Sequence, residues 1–384
     1  MKHIFILSGD YIELGNEEVS SLLDIGNSKL HENLLISELP NDEKGIMEIS
    51  KRLALTKNIY RLLFECKADE IIDCMKNYGW NSVYNHDFCL RIVYAEYNEK
   101  NSLTKNSIDV KFNKKIKSKQ NYKIKINKDS DKIKKCSEKE LAGYIWRSVK
   151  KPKVNLENAK TKIGLFFIKN KVYCGLMIYE NKEDFESRKA HLRPFPHPSS
   201  LHPKVARALI NISEIRENEI LLDPFCGTGG LNIEAGLMKI KNIGYDINKT
   251  MIKGCKDNLE HFKIKNYKIK HQNALEIADK FDYAVTDLPY GLNSNAMAMY
   301  EKDWKKHRIN KKIETKDFIK NLEKFYLLFL KSLRKKLKKK AVIIFPSYVN
   351  YKKLLKESKF RTEKEFSIYV HRSLTRKIVK FRLK

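Results

Sequence analysis

No two cysteines of this chain form a C-x-x-C pair. The seven present (Cys66, Cys74, Cys89, Cys136, Cys174, Cys226 and Cys255) are odd in number and scattered. That pattern offers no zinc set and no disulfide framework, and it points to reduced thiols in a cytosol. No apolar run approaches the ~20 residues a membrane span needs. The apolar part of Met1–Leu7 is too short for a secretory signal. No internal repeat is visible. Acid is scarce, with 47 Asp and Glu against 77 Lys and Arg, so the formal net charge is +30. A solvated, lysine-rich surface would spread that charge evenly, yet residues 1–50 hold 3 basic and 10 acidic side chains while residues 111–153 hold 16 basic and 4 acidic. The unevenness points to a polyanionic partner outside the first fifty residues. With 384 residues and 42% hydrophobic side chains, the chain can bury two or three cores.

Taken in order, residues 1–60 open with a strand, Ile4 to Leu7, and a helix from about Asn16 to Ile25 with Val19, Leu22 and Leu23 on its apolar face. This reads as a lead-in α/β domain. Residues 61–180 alternate short strands and helices. Strands are expected at Arg61 to Glu65, Phe88 to Tyr94, Tyr122 to Ile126, Gly164 to Ile168 and Lys171 to Ile178. Ser137 stands three before Glu140, a capping-box spacing, and Leu141, Ile145 and Val149 follow at helical spacing. The order of Tyr122–Ile126, Ser137–Gly143, Val154-Asn155-Leu156 and the closing strand pair to Tyr179 resembles a THUMP domain, an RNA-binding module of tRNA-modifying enzymes.

Residues 181–212 bridge to the second half of the chain. Four prolines between Pro194 and Pro203 favour an extended path, and a helix runs from about Pro203 to Ile212. This stretch is either a stiff linker or an element that closes over a ligand. His197 and His202 have nothing nearby to complete a metal set. From 213 to 384, strands at 220–223, 241–246, 268–272, 281–286 and 341–345 alternate with helices at 229–239, 248–262, 316–336 and 350–358, before an antiparallel pair over 364–383. On helix 316–336, Phe318, Leu322, Phe325, Phe329 and Leu333 form one apolar face. The seven basic residues of 331–340 read as a solvated helix end or an RNA contact.

Two stretches carry the chemistry. The first is Leu221-Leu222-Asp223-Pro224-Phe225-Cys226-Gly227-Thr228-Gly229-Gly230. A strand runs into a glycine turn and then into a helix start. The glycines let a ligand approach the backbone, and the free N–H groups attract an anionic group. Asp246 closes the next strand, twenty-three residues after Asp223. There an open α/β sheet places an acid that holds ribose hydroxyls. The second stretch, Phe281 to Thr286 followed by Asp287-Leu288-Pro289-Tyr290-Gly291, reads as a buried strand ending in an acid, a proline and an aromatic.

Asp287-Leu288-Pro289-Tyr290 resembles the Asp-Pro-Pro-Tyr signature of S-adenosylmethionine-dependent methyltransferases that act on exocyclic amines of bases, with Leu288 where the family often has proline. With Arg193-Pro194-Phe195, Ala206-Arg207-Ala208-Leu209 and the Asp223–Gly230 corner, the chain resembles archaeal tRNA guanine N2-methyltransferases over most of its length, about residues 1–384, those acting at position ten of tRNA foremost. The resemblance implies an α/β fold: a seven-stranded, mostly parallel, Rossmann-like methyltransferase domain (213–384) after a lead-in domain (1–60), a THUMP-like domain (61–180) and a linker with a pre-sheet helix (181–212). It implies S-adenosylmethionine as cofactor, with Asp223 and Cys226, Gly227, Thr228 and Gly229 at its methionine end. Asp246 would hold the ribose, Ile247 the adenine face, and Asn273 with Ala274 the adenine amine. Asn273 replaces an acid common in the family. Asp287 would accept a hydrogen bond from the guanine amine and take its proton, the Pro289 turn would expose carbonyl acceptors, and Tyr290 would stack on a flipped base. The loop from Leu292 to Thr315, with Tyr300, Trp304 and Arg308, sits where a base-gripping lid would. The implied partner is tRNA, without DNA, membrane or metal, in a cytoplasmic monomer. Methylation at position six, an N6-adenine methyltransferase, and an RNA-binding protein with a silent methyltransferase domain are the alternatives.

Overall fold

The computed structural model describes residues 1–95, 137–198, 200–290, 315–372 and 374–384. The chain divides into two compact units. One holds Met1–Asn16, Leu23–Lys51 and Thr56–Asn181; the other holds Glu17–Leu22, Arg52–Leu55 and Lys182–Lys384.

The first unit is built on seven strands: β1 (Lys2–Leu7), β2 (Ser28–His31), β3 (Leu34–Glu38), β4 (Thr56–Lys67), β5 (Phe88–Ala95), β6 (Thr161–Ile168) and β7 (Lys171–Glu180). They lie in one sheet in the order β2-β3-β1-β4-β7-β6-β5, antiparallel except for the β5–β6 pair. The boundary expected near residue 60 falls inside β4, and the sheet runs across it. Helices α1 (Ile12–Leu22), α2 (Glu43–Ser50), α3 (Ile71–Asn77) and α4 (Glu138–Ser148) occupy the connections. α1 starts four residues before the expected Asn16. Gly15 donates to the Tyr11 carbonyl at 2.8 Å, so the Gly-Asn pair lies inside the first turns rather than ahead of them. α4 starts where its capping box says. Ser137 Oγ accepts from Glu140 N at 3.2 Å, and Glu140 Oε2 accepts from Ser137 N at 2.9 Å. Its Leu141 and Ile145 are buried with Phe88, Leu165 and Trp80. The expected strand Tyr122–Ile126 lies outside the described residues.

The second unit contains α5 (Pro203–Ile212), β8 (Ile220–Asp223), α6 (Gly230–Leu237), β9 (Lys241–Asp246), α7 (Lys249–His261), β10 (Tyr267–His271), β11 (Tyr283–Asp287), α8 (Thr315–Arg334), β12 (Lys340–Pro346), α9 (Tyr351–Glu357), β13 (Phe360–His371) and β14 (Leu374–Leu383). The strand order is β10-β9-β8-β11-β12-β14-β13. The first five run parallel, and β14 lies antiparallel to both neighbours. This is the seven-stranded, mostly parallel sheet the sequence leads one to expect. The apolar face of α8 is buried with Ala341, Ile343 and Phe345 of β12 and Val379 and Phe381 of β14. Each such Leu or Phe contributes roughly 1.5–3 kcal/mol.

The stretch 188–209 is packed into this unit rather than strung out as a linker. Glu234 of α6 is fully buried, with Oε1 2.8 Å from Arg188 Nε and Oε2 2.8 Å from Arg207 Nε. The Phe195 ring packs so closely on α7 that a Cβ at Gly254 would lie 2.3 Å from it. Glu18 explains why two short N-terminal segments count with this unit. Its buried carboxylate accepts from Ala54 N and Leu55 N at 2.8 Å each and from Asn211 Nδ2 at 2.7 Å. Of the basic run 331–340, Lys338, Lys339 and Lys340 are paired with Asp282, Glu219 and Glu214.

Candidate active site

β8 has β9 on one side and β11 on the other, so the strand order reverses at β8. In an open parallel sheet, ligands bind outside the carboxyl ends at such a switch point. Asp223, Asp246 and Asp287 are the last residues of β8, β9 and β11, and the reversal gathers three acids that lie far apart in sequence.

Asp223 is buried. Its Oδ1 accepts from Thr286 Oγ1 at 2.7 Å and from Phe225 N at 3.2 Å. Burial, with the fields of Asp246 and Asp287 added, pushes its carboxyl up to about 7. The turn after it needs its glycines. Gly227 has φ of 51° and Gly229 has φ of 84°. A side chain at Gly229 would also put its Cβ 2.7 Å from Cys255 Sγ, whereas the Cβ direction of Gly227 is open for 4 Å. Cys226 N donates to the Tyr245 carbonyl at 2.8 Å, tying the turn to β9. Gly229 caps α6 without a side chain, so no capping oxygen occupies the helix start. Thr228 Oγ1 lies 3.2 Å from Ser200 Oγ, and Asn258 Nδ2 donates to the Thr228 and Phe195 carbonyls at 3.0 Å each. The proline-rich stretch is therefore fastened to the glycine turn.

Asp246 braces the same turn. Its Oδ2 accepts from Gly227 N at 3.0 Å and its Oδ1 from Asn248 N at 2.8 Å. Burial raises its carboxyl above the ordinary range. Each oxygen keeps a lone pair for a further donor. Ile247 offers its carbonyl to His271 Nε2 at 2.8 Å. Gln272 N donates to the Asp246 carbonyl at 3.0 Å, which brings Asn273 beside Asp246. Asn273 Oδ1 already accepts from Leu275 N at 2.9 Å, and Ala274 is buried in the core. The amide oxygen expected to meet an adenine amine is thus shared with its own turn.

At the end of β11, Tyr290 Oη donates to Asp287 Oδ1, and Arg376 Nη2 of β14 lies 3.5 Å from Asp287 Oδ2. Arg376 Nε donates to Tyr290 Oη at 2.9 Å. Burial pushes the Asp287 carboxyl up to about 6, against the opposing pull of Arg376 and the Tyr290 hydroxyl. Burial also drives the Tyr290 phenol far up, so it stays a donor. Leu288 is buried in the core, where an apolar side chain is at home. The acceptors expected of the Pro289 turn each already take one hydrogen bond. Tyr326 Oη donates to the Pro289 carbonyl and Tyr348 Oη to the Tyr290 carbonyl, both at 2.7 Å. Two aromatic neighbours in the fold use the carbonyls to hold the turn. Arg376, Tyr326 and Tyr348 are the site residues that sequence reasoning passes over. The only local hint was a basic residue beside the turn of the last hairpin. Gly291 and the loop from 292 onward lie outside the described residues.

The arrangement suits a ligand with an anionic end at the α6 start, a ribose at Asp246 and a reacting centre between the glycine turn and Asp287. A family model for an RMKL-like methyltransferase domain matches residues 190–302. A tRNA (guanine(10)-N2)-dimethyltransferase from Methanothermobacter thermautotrophicus is 28% identical over 388 residues, covering 98% of each chain. The protein of the same name from Pyrococcus abyssi is 30% identical over 293 residues, 73% of this chain and 76% of that one. Among solved structures, TrmN from Thermus thermophilus shares the fold over all of both chains, with a TM-score of 0.52 and 12% identity. Similar to these relatives over most of its length, and 30% identical to one of them across about three quarters of both chains, this chain belongs to the tRNA (guanine(10)-N2)-dimethyltransferase family.

Proposed function

We propose that this protein methylates the exocyclic N2 amine of a guanosine in tRNA, at position ten, carrying the product on to the dimethyl form. The observation that carries the reading is the meeting of Asp223, Asp246 and Asp287 at the switch point, with Arg376 and Tyr290 around the last.

S-adenosylmethionine is the cofactor the residues fit. The open Cβ direction of Gly227 leaves room for it, the uncapped start of α6 suits its carboxylate, and Asp246 has lone pairs for ribose hydroxyls. When bound, it supplies an electrophilic methyl group. Asp223 and the backbone of Cys226 to Gly229 would hold the methionine end, Ile247 would pack on the adenine, and Asn273 and Ala274 would border it. Asp287 accepts a hydrogen bond from the acceptor amine, which concentrates electron density on a nitrogen otherwise drained into the ring, and it takes the proton as the new N–C bond forms. The amine must share or replace the bond that Tyr290 now makes to Oδ1. The Tyr290 ring stacks on the flipped guanine, worth about 1–3 kcal/mol. The part of the first unit from β4 to β7 acts as a THUMP-like RNA-binding module, to which the basic segment 111–153 adds phosphate contacts. A cytoplasmic monomer is the setting that a tRNA substrate favours in this reading. Among the described residues no helix is long and apolar enough to cross a membrane.

The test is single-turnover methyl transfer to unmodified tRNA with nucleoside mass spectrometry. N2-methylguanosine and its dimethyl form are expected, mapped to position ten. Product at position six, N6-methyladenosine or no product would each replace this reading. Asp287→Ala should lower the rate by at least ~10²-fold with S-adenosylhomocysteine still bound. A near-normal rate would remove Asp287 from the mechanism.

A further inference from the structure

The last hairpin brings into the site a charge that the transfer chemistry does not itself use. β14 pairs with β12 in a register that sets Arg376 opposite Pro346, and β12 pairs with β11 so that Ile344 faces Asp287. Ser347 N donates to the Thr375 carbonyl at 2.9 Å and locks that register at its end. Arg376 therefore emerges at the carboxyl edge of the sheet, one strand removed from Asp287. Its guanidinium spans two targets: Nη2 is 3.5 Å from Asp287 Oδ2, and Nε donates to Tyr290 Oη at 2.9 Å. The same group lies 5.8 Å from the centre of the Tyr290 ring. The Arg376 and Asp287 side chains are 17% and 18% exposed, so water screens the pair only partly.

Among the described residues, the other groups facing Asp287 are the Tyr290 hydroxyl, Tyr326 from α8 and the Asp223 carboxyl from β8. Of these groups Arg376 alone is cationic. Burial works against ionisation of Asp287, while Arg376 and the Tyr290 hydroxyl favour it. A planar fork holds the carboxylate and the phenol in one fixed geometry, which a rotating ammonium does not impose.

We propose that Arg376 is a positioning residue for methyl transfer, holding the Asp287 carboxylate ionised and oriented toward the acceptor amine while fixing the Tyr290 ring that receives the base. The proposal rests on the reading of Asp287 as the proton acceptor. In this role Arg376 acts through its two neighbours, Asp287 and Tyr290.

The experiment is the pH profile of single-turnover methyl transfer at saturating tRNA and S-adenosylmethionine, for the wild type, Arg376→Gln, Arg376→Lys and Asp287→Ala. Binding of S-adenosylhomocysteine is measured calorimetrically on each protein. In the wild type the rate should fall as the pH drops through about 6, where Asp287 takes up a proton. Removing an opposite charge this close should move that limb of Arg376→Gln upward by roughly 1 pH unit or more. Arg376→Lys restores the charge but not the fork, so its limb should return toward the wild-type position with a lower plateau. Cofactor-product affinity should stay unchanged in both. A limb of Arg376→Gln that coincides with the wild type overturns the proposal, whatever its plateau. So does a defect confined to tRNA affinity, which would make Arg376 an RNA contact. Should Arg376→Gln fold poorly, a displaced limb in Arg376→Lys overturns the charge argument by itself. An active Asp287→Ala removes the underlying reading and the proposal with it. An inactive Asp287→Ala with an unmoved Arg376→Gln limb overturns the Arg376 role alone.

Discussion

Asp246→Asn separates the two tasks that the structure gives one carboxylate. Asp246 braces the glycine turn through Gly227 N at 3.0 Å and Asn248 N at 2.8 Å, and it keeps a lone pair on each oxygen for the ribose. Asparagine has one acceptor oxygen. Whichever backbone N–H faces its amide nitrogen loses its partner, which costs about 1–3 kcal/mol. The ribose bond also drops from charge-assisted to neutral, a further loss of about 1 kcal/mol. The first cost falls on the folded protein with or without ligand and weakens binding only as far as the turn loosens; the second alone is roughly five-fold in affinity. Calorimetric titration with S-adenosylhomocysteine and with adenosine should show similar losses, because both ligands carry the ribose. With 2′,3′-dideoxyadenosine only the share due to the loosened turn should remain. Unchanged adenosine affinity in a folded Asp246→Asn protein would refute the assignment and place the ribose elsewhere.

Gly229→Ala should destabilise the fold by about 2–4 kcal/mol in urea titration, from a left-handed φ of 84° and a Cβ 2.7 Å from Cys255 Sγ; wild-type stability would show that the turn can relax. Glu234→Ala removes the fully buried carboxylate between Arg188 and Arg207 and leaves them only the half-exposed Glu183, so a loss of about 3 kcal/mol is expected in the same assay. Asp223→Asn tests linkage. The Asp223 carboxyl is raised from its ordinary value to about 7, so the folded state holds the proton that the unfolded chain releases near pH 4. Its contribution is fully present below the unfolded value and is lost as the pH rises through about 7. Asparagine cannot ionise, so Asp223→Asn should gain on the wild type by up to about 4 kcal/mol between pH 4 and pH 7. A stability difference that stays flat with pH would mean that Asp223 titrates normally.

Much of the architecture could be read from the chain because its signals are local. A capping box places the start of α4 at Glu138, proline at the first helical position starts α5 at Pro203, and apolar periodicity names the buried face of α8. Asp223, Asp246 and Asp287 were each visible as a polar residue closing an apolar strand, and the strand order then brought them together. Local cues also misled. The helix expected from about Asn16 starts at Ile12, where Gly15 N already closes a helical bond to the Tyr11 carbonyl. An extended, proline-rich stretch can be a linker or a docked strap, and only the burial of Glu234 between Arg188 and Arg207 decided for the strap.

What sequence alone determined is therefore the set of elements and the residues at their ends, because periodicity, caps and turn chemistry act over a few residues. What only the tertiary structure decided is which distant side chains meet. Glu18 finds Ala54, Leu55 and Asn211, and the Pro289 and Tyr290 carbonyls find Tyr326 and Tyr348. Arg376 reaches Asp287 because β14 pairs with β12 in one register. A slip of a single residue would turn that guanidinium to the opposite face of the sheet, and no local pattern around residue 376 records which register the packed core selects.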